Sequence, residues 1–268
     1  MQAYKGMDIG TAKPSGEILS RLPHHLIDFK MPDEQYTAGE FVRLADALCA
    51  ALDSRSILPV ISGGTGFYIR NFLCGPASAP PSNPGMREKV AADFAEFGIE
   101  ALRRELESAD PFSAARISER DVYRLTRAIE ILRTSGEPPS RFAPTAATRE
   151  AYNFLVIGIE RSREELKERI GARVDAMFAA GLPDEIASLA AAGYDSTCPG
   201  LKAIGYREFF EMEGASLPAV AEAIKLHTGQ YAKHQMTFLR ALPGIIWIKP
   251  DSSALASILA DFLTQVPA

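Results

Sequence analysis

The clearest chemical motif in the chain is a glycine-rich turn, Gly63-Gly64-Thr65-Gly66, between two apolar segments. Glycines that follow a strand let the backbone approach a ligand closely, and amides at the N-terminus of the next helix favour an anion. Thr65 adds a hydroxyl group at the same place. A tight turn between a strand and a helix also needs glycine for its shape, so the motif leaves anion binding and turn geometry equally open.

A second candidate site is a polar face on residues 217–239, which we predict to form one long helix. This face carries Thr228, Tyr231, Lys233, His234, Gln235 and Thr237. Lys233 and Thr237 are four positions apart, so they share one side of a helix. Such a face can follow a phosphate backbone or hydrogen-bond a base, and an ordinary solvated helix surface is the alternative interpretation.

Two further groups of basic residues are compatible with anion binding or with solvated helix faces. One group lies at the helix predicted to begin at Val122: Arg120, Arg124 and Arg127. The other is interleaved with glutamates, which favours weak intrahelical ion pairs: Arg163, Lys167, Arg169 and Arg173. His24 and His25 have no partner at metal-ligand spacing, and the sequence contains no Ser-His-Asp elbow, CxxC, HExxH or GxxxxGK[ST] motif. The residues themselves predict no metal site.

The composition is that of a folded protein: 268 residues, 47% hydrophobic and 24% charged, with a net charge of -5. These values exclude a disordered chain. The acidic balance does not by itself suggest nucleic-acid binding, which usually brings an excess of Lys and Arg. No apolar run reaches the ~18 to 20 residues of a membrane span, and no signal sequence is recognised. Three scattered cysteines indicate reduced thiols, so we expect a cytoplasmic protein.

The elements that would position these residues indicate an α/β protein. Thr37 and Glu40 form a capping box for a helix. Residues 57–62 form an apolar run typical of a buried parallel strand, and the glycine turn with a helix at 67–73 follows it. Further strands are predicted at residues 153–159 and 245–248.

The middle of the chain has a helical pattern throughout, between proline-rich linkers at 76–84 and 136–148. Its predicted helices occupy residues 86–97, 99–107, 111–115 and 122–134. Later helices are predicted at residues 163–180, 183–192, 201–213, 217–239 and 253–265. We therefore predict an α/β core in two parts, 1–80 and 151–268, with an all-helical insertion at 81–150.

Six phrases in a fixed order carry a resemblance along the whole chain. They are Gln2-Ala-Tyr-Lys-Gly-Met-Asp-Ile-Gly-Thr-Ala-Lys-Pro14, Pro23-His-His-Leu-Ile-Asp28, Gly63-Gly-Thr-Gly-Phe-Tyr-Ile69, Tyr123-Arg-Leu-Thr-Arg-Ala-Ile-Glu130, Ala203-Ile-Gly-Tyr-Arg207 and Thr228-x-x-Tyr-Ala-Lys-x-Gln-x-Thr237. Each phrase is weak, but six in order are not expected by chance. Together they resemble the tRNA dimethylallyltransferase family.

The resemblance implies a P-loop NTPase-like parallel sheet core with an all-helical insertion that grips the tRNA anticodon stem-loop. It also implies a prenyltransferase reaction. N6 of adenine 37 attacks C1 of dimethylallyl diphosphate, pyrophosphate leaves, and i6A forms in tRNAs that read codons beginning with U. The family uses Mg2+ as its cofactor, and we expect a monomer.

The resemblance also assigns roles to individual residues. It places Thr65 at the reaction centre and assigns diphosphate binding to Arg173, Gly63 and Gly64. It assigns contacts with tRNA to Gln2, Arg87, Tyr123, Arg124, Leu125, Thr126, Arg127, Lys202, Arg207, Lys233, His234, Gln235, Thr237 and Arg240.

The chain departs from the family pattern at its start. The family begins with a strand, a GPTxSGKT-like P-loop and a second strand ending in Asp-Ser-x-Gln, and Met1-Gln2 falls at the x-Gln of that phrase. The P-loop residues that hold diphosphate and Mg2+, and the Asp that acts as general base, would precede Met1. Without the first strand, apolar residues and unpaired backbone would be exposed. We expect a chain starting at Met1 to be truncated, to fold poorly and to transfer little.

Smaller departures concern the long helix near the C-terminus. Gly229 and His234 replace usual arginines, and Phe238 replaces a usual Trp. These changes predict weaker phosphate contacts in this stretch.

Three hypotheses follow. The chain is an enzyme of tRNA prenylation or a fragment of one, a non-catalytic RNA-binding remnant, or a prenyltransferase of free adenine nucleotides. The tRNA-matching insertion at residues 87–133 counts against the third. A GxxxxGK[ST] motif and an Asp-Ser dipeptide in frame upstream of Met1 would favour the first over the second.

Overall fold

The computed structural model of the chain describes residues 1–76, 78–143, 147–250 and 253–265. Two predicted regions lie partly outside the described residues. They are the proline-rich linkers, at 77 and 144–146, and the second core part, at 251–252 and 266–268. The chain divides into two compact units. We call Met1–Ile69 with Ala151–Ala268 the α/β unit, and Arg70–Glu150 the helical unit.

Helices dominate the part of the chain that the structure describes. In chain order they are α1 (Gly16–Arg21), α2 (Ala38–Asp53), α3 (Gly66–Cys74), α4 (Pro84–Ala109), α5 (Pro111–Arg116), α6 (Val122–Ser135), α7 (Arg163–Ala179), α8 (Leu182–Ala191), α9 (Arg207–Glu211), α10 (Leu217–Leu239) and α11 (Ala254–Gln265). The strands are β1 (Val156–Ile159) and β2 (Ile245–Ile248). Short 3-10 helices occupy Pro139–Phe142 and Gly200–Lys202.

Several helices begin at a short polar side chain that accepts a hydrogen bond from a backbone N–H of the first turn. The Thr37 hydroxyl accepts from the N–H of Glu40 at 3.2 Å, which confirms the predicted start of α2. Ser162 accepts from the N–H of Glu165 at 3.1 Å and starts α7 in the same way. The long helix α10 occupies the residues that the sequence predicted.

The described residues of the α/β unit contain one sheet of two parallel strands. Val156 of β1 lies opposite Ile245 of β2, and the same register continues to the ends of both strands. Parallel neighbours require a long crossover connection, which here contains α7 to α10. An isolated parallel bridge also joins Tyr4 to Lys30. The parallel pair confirms the predicted α/β class.

The strand predicted at residues 57–62 does not form, so this prediction is wrong. The Leu58 and Val60 side chains are instead 50% and 82% exposed. A parallel strand needs cover on both faces and partners at its edges. Among the described residues no strand pairs with this run, and Pro59 has no N–H to donate to a ladder.

The helix predicted at residues 201–213 is divided in the structure. Ala203 is extended, with φ -68° and ψ 147°, and α9 begins only at Arg207. Gly205 lies between them with φ +97°, in the left-handed region that favours glycine and ends helices. The break was not predicted because the apolar periodicity of the segment continues across Gly205.

The helical unit is built around the apolar faces of α4 and α6. Its core includes Val90, Leu102, Leu106, Leu125 and Ile129. At Gly98, with φ 74° and ψ 178°, α4 is interrupted, so it consists of two helical segments, as the sequence predicted there. Arg133 of α6 bonds to Glu105 at 2.6 Å and to Asp93 at 2.5 Å. Charged and apolar contacts therefore join the same two helices.

The α/β unit has a core of its own. Its most buried side chains include Met7, Leu182, Leu201, Tyr206 and Ile224. These residues come from both segments of the unit, so the N-terminal residues pack against helices that follow much later in the sequence. Within the described ranges, no helix has the length and apolar character needed to cross a membrane.

Candidate functional site

The glycine turn lies immediately before α3, where the sequence placed it. The carbonyl group of Thr65 accepts the N–H of Tyr68 at 2.9 Å and that of Ile69 at 3.2 Å. Thr65 therefore begins the helix, and its side chain is exposed. A hydroxyl group thus stands beside the backbone amides at a helix N-terminus, the arrangement that favours a bound anion.

The helix α10 packs directly on this turn, a contact that the sequence did not predict. The side-chain amide of Gln235 donates to the carbonyl oxygen of Gly64 at 2.7 Å. A Cβ atom at Gly64 would lie 2.1 Å from that amide nitrogen, and one at Gly66 would lie 2.5 Å from the ring of Phe238. A side chain at Gly66 would collide with the rigid Phe238 ring, and one at Gly64 would displace the Gln235 amide from its hydrogen bond.

The aromatic side chain that follows the turn anchors it from the other side. The hydroxyl group of Tyr68 donates to the carbonyl oxygen of Tyr36 at 2.6 Å, and its ring stacks on Phe41 at 5.3 Å between centroids. Burial raises the pKa of Tyr68 to about 12. Tyr68 is therefore a protonated donor at neutral pH and holds the first turn of α3 in place.

The outer face of α10 carries predicted tRNA contacts on exposed side chains. They are Lys233, His234, Thr237 and, at the C-cap of the helix, Arg240. The Thr237 hydroxyl donates to the Lys233 carbonyl at 3.1 Å. Arg240 lies 3.6 Å from Glu160, and both of these side chains are more than half exposed. The helix that packs on the Thr65 turn therefore also presents basic groups to solvent.

A cavity of about 510 Å³ in the α/β unit contains Arg173, the predicted diphosphate ligand. Apolar side chains of Ile9, Leu19 and Met177 contribute to its wall. Thr65 does not line this cavity, and neither does Gly63 or Gly64. The structure therefore places the predicted diphosphate ligands in two different parts of the unit.

Lys13 also lines the cavity, although the sequence did not single it out as a site residue. Its side chain is only 6% exposed. Its ammonium group donates to the carbonyl of Tyr4 at 2.6 Å, to Asp8 at 2.5 Å and to Asp28. The charge of Lys13 is compensated by these carboxylates, whereas Arg173, which also lines the cavity, is exposed. Lys13 belongs to the phrase from Gln2 to Pro14, which carried the resemblance without a role for this lysine.

In the helical unit, the predicted tRNA contacts on α6 divide into two groups. Tyr123 is 77% exposed, and the Arg124 side chain is 72% exposed. Leu125 is 1% exposed and belongs to the core, so its side chain does not reach a bound RNA. The Thr126 hydroxyl donates to the Val122 carbonyl at 2.9 Å. The helical periodicity explains the difference, because successive residues of one helix face different sides.

Arg127, on the same helix, is held by contacts within the helical unit. It pairs with the buried carboxylate of Glu130 at 2.8 Å and donates to the carbonyl of Pro80 at 2.6 Å. Arg87 of α4 is exposed. Tyr123, Arg124 and Arg87 are thus the predicted contacts of this unit that are exposed, whereas Arg127 is partly buried.

Three further predicted contacts lie in the α/β unit. The side-chain amide of Gln2 donates to the carbonyls of Thr11 and Ala12, at 3.2 and 2.9 Å. Arg207 donates to the fully buried Glu208 at 3.3 Å. Lys202 is exposed. Gln2 and Arg207 therefore have structural partners in addition to any role toward a ligand.

The parallel strand pair, the glycine turn before α3 and the helical unit between the two segments of the α/β unit define an α/β protein with a helical insertion. The family model described as IPP transferase matches residues 2–242. A tRNA dimethylallyltransferase of Geobacter sulfurreducens is 38% identical over 252 residues, which cover 93% of this chain and 81% of the relative. One of Geobacillus kaustophilus is 41% identical over 250 residues, covering 92% and 79%.

Solved structures agree with these relatives. The tRNA isopentenylpyrophosphate transferase of Bacillus halodurans superposes with a TM-score of 0.66 at 32% identity and covers 98% of this chain and 84% of that chain. A eukaryotic dimethylallyltransferase acting on tRNA has a TM-score of 0.84, with 100% and 72% coverage, and at 22% identity it supports the fold alone. The chain belongs to the IPP transferase family, which confirms the family and the prenyltransferase class predicted from the sequence.

Proposed function

We propose that this chain transfers a dimethylallyl group from dimethylallyl diphosphate to N6 of adenine 37 in tRNAs that read codons beginning with U, giving i6A. The observation that carries the proposal is the contact between α10 and the Thr65 turn, made by Gln235 and Gly64 at 2.7 Å. This contact joins a helix with exposed basic side chains to the residue at the proposed reaction centre. A tRNA on α10 would therefore lie close to Thr65.

The reaction exchanges one bond for another. The N6 lone pair forms a bond to C1 of the prenyl group, the C1–O bond breaks, and pyrophosphate leaves with the bonding electrons. The N6 proton passes to a base. Thr65 does not line the cavity that contains Arg173, so we assign its hydroxyl group, at the start of α3, to orienting the adenine N6 for attack and not to the diphosphate.

The donor has a charged diphosphate and an apolar five-carbon tail, and the cavity of the α/β unit matches both. Arg173 supplies a cation, and Ile9, Leu19 and Met177 supply apolar wall. The volume of about 510 Å³ is within the range of small-molecule sites. We assign dimethylallyl diphosphate to this cavity, with Arg173 as its diphosphate ligand.

Each unit, taken by itself, presents exposed basic or aromatic side chains that would contact a tRNA. The helical unit offers Tyr123 and Arg124, and the α/β unit offers Lys233 and Arg240. Arginine and lysine neutralise phosphates, and an exposed tyrosine ring can stack on an unpaired base of the anticodon loop. The positive charges would supply the affinity for tRNA. Extrusion of the adenine from the stacked bases would give access to its N6.

The family resemblance also implies Mg2+. Among the described residues, no group of three or more His, Cys, Asp or Glu side chains could hold a metal ion. Mg2+ is commonly bound through one or two carboxylates together with phosphate oxygens of the substrate. The proposed reaction assigns no step to Mg2+.

The test is a transfer assay with dimethylallyl diphosphate and anticodon stem-loops that carry A or G at position 37, read by mass spectrometry. We expect one prenyl unit on the A37 stem-loop and none on the G37 control. The assay is run on the 268-residue chain and, in parallel, on a form with a family-type phosphate-binding segment before Met1. In the active form, Thr65→Ala should lower kcat about 100-fold while tRNA affinity stays within about twofold.

Other outcomes would decide between the three hypotheses. Stem-loop binding without transfer by either form would favour the non-catalytic RNA-binding protein. Transfer to free AMP in preference to the stem-loop would favour the enzyme of adenine nucleotides. Equal losses of turnover and tRNA affinity in Thr65→Ala would remove this residue from the reaction centre.

A further inference from the structure

Glu185, in the first turn of α8, has no role in the proposed reaction, yet its carboxylate accepts four hydrogen bonds. One oxygen accepts the backbone N–H groups of Asp8 and Ile9, at 2.8 and 2.7 Å. The other accepts the N–H of Gly10 at 3.2 Å and the hydroxyl group of Tyr206 at 2.6 Å. A carboxylate is the side chain that can accept four bonds and donate none, so its chemistry matches these donors.

Tyr206 closes the other side of this arrangement. It is fully buried, and a Cβ atom at Gly10 would lie 2.5 Å from its ring. Burial, and then the hydrogen bond to Glu185, raises the pKa of Tyr206, so its hydroxyl group remains a donor. The backbone at Gly10 is therefore enclosed between a carboxylate and an aromatic ring, and only glycine fits there.

The segment held in this way forms one wall of the donor cavity. Asp8, Ile9 and Lys13 line the cavity together with Arg173. The N–H of Lys13 donates to the Asp8 carbonyl at 3.0 Å, and its ammonium group bonds to the Asp8 carboxylate at 2.5 Å. Displacement of Asp8 would therefore also displace Lys13 and change the wall of the cavity that contains Arg173.

We propose that Glu185 is a positioning residue for the prenyl donor: it fixes the 8–13 wall of the Arg173 cavity and so sets the affinity for dimethylallyl diphosphate. This inference rests on the proposed function, which assigns the donor to that cavity. Glu185 acts through the backbone of Asp8, Ile9 and Gly10, because its four acceptor positions are occupied by protein donors.

The test compares Glu185→Gln with Asp184→Asn in the full chain. Asp184 is the exposed neighbour in the same turn, so the control makes the same carboxylate-to-amide change one position away. Calorimetry without tRNA measures the Kd of dimethylallyl diphosphate, and calorimetry without donor measures the Kd of the A37 stem-loop. Amide hydrogen exchange reports the backbone of residues 8–10.

We expect Glu185→Gln to accelerate exchange at residues 8–10 and to raise the donor Kd about tenfold, with the stem-loop Kd within about twofold of wild type. Asp184→Asn should change none of these values. A merely structural role would lower the melting temperature and weaken both ligands together. That result, or an unchanged donor Kd in folded Glu185→Gln, would overturn the inference.

If Glu185→Gln does not fold, a less disruptive variant tests the role of Glu185 in donor binding. Tyr206→Phe removes one donor to Glu185 and keeps the ring against Gly10, so we expect a donor Kd about threefold higher and an unchanged stem-loop Kd. An unchanged donor Kd in Tyr206→Phe would then count against the inference. Absence of donor binding by the wild type would overturn the cavity assignment and this inference together. Donor binding without prenyl transfer would contradict the proposed function only.

Discussion

In the helical unit, apolar side chains on α4 and α6 face one another and are buried, whereas the α/β unit leaves Ile57, Leu58, Val60 and Ile61 exposed. The helices of the first unit are near neighbours in sequence and satisfy their own backbone hydrogen bonds. An extended segment can bury its side chains only when other strands lie beside it. Burial in the helical unit thus depends on local contacts, and burial in the α/β unit on distant ones.

The two units also differ in what they offer to a ligand. The helical unit presents exposed side chains, Tyr123 and Arg124, on a packed scaffold. The α/β unit contains the Thr65 turn and the cavity with Arg173, which are built from segments far apart in the sequence. The comparison therefore separates a unit that offers exposed surface side chains from a unit that also offers a glycine turn and a cavity.

The largest expected effect compares one isoleucine from each unit. Ile129→Ala opens a hole in the core of the helical unit and should lower the free energy of unfolding by about 2 to 5 kcal/mol. Ile61→Ala, in the exposed run, should change it by less than about 0.5 kcal/mol. Urea unfolding followed by circular dichroism measures both. Equal losses would show that the run at 57–61 is buried in solution.

A smaller effect concerns the carboxylate of Glu130 in the helical unit. It accepts hydrogen bonds from the Ser82 hydroxyl at 2.8 Å and the Asn83 N–H at 2.7 Å, and it pairs with Arg127 at 2.8 Å. Burial would raise the pKa of Glu130, but the bonds from Arg127, Ser82 and Asn83 outweigh it and lower the pKa below its usual value. Glu130→Gln should therefore cost about 2 kcal/mol at neutral pH.

The sign of the pH dependence follows from this lowered pKa. The stabilisation by ionised Glu130 is complete above the usual carboxyl pKa, and it is lost as the pH falls through the lower folded value. Wild-type protein should lose this contribution below about pH 4, whereas Glu130→Gln should not. Glu160→Gln, an exposed change in the α/β unit, should alter stability by less than about 0.5 kcal/mol. A pH-independent difference between wild type and Glu130→Gln would contradict the assignment.

The smallest expected effect on stability concerns one exposed arginine from each unit. The same two variants also test directly whether each arginine binds RNA. Arg124→Gln and Arg240→Gln should each change the unfolding free energy by less than about 0.5 kcal/mol. Each should weaken stem-loop binding and reduce the slope of log K against log salt by about 1. If Arg124→Gln alone has this effect, then the α/β unit does not grip the phosphate backbone through Arg240.

The sequence was informative where structure depends on neighbours along the chain. Thr37 predicted the start of α2, and Gly98 predicted the break in α4, because caps and left-handed glycines act within a few residues. The run at 57–62 was predicted as a strand because its composition suits one, but a strand also needs partners. Gly205 was overlooked because the apolar pattern continues across it.

The contacts that shape the candidate site could not be predicted from the sequence, because they join residues that are far apart along the chain. Gln235 and Gly64 are 171 positions apart, and Glu185 and Asp8 are 177 positions apart. Nothing in the local pattern of either residue indicates its partner. The resemblance assigned roles to Thr65 and Arg173, but it did not indicate that Gln235 bonds to the turn or that Lys13 lines the cavity.

The break at Gly98 changes which side of α4 each of its segments presents. Val90 and Leu102 belong to one core although they are twelve positions apart on what would be a single rod. At about 100° per residue, an unbroken helix would leave these two side chains about 120° apart around its axis. One left-handed glycine resets the angular phase, so that two successive segments of a single chain direct different sequence faces toward the same core.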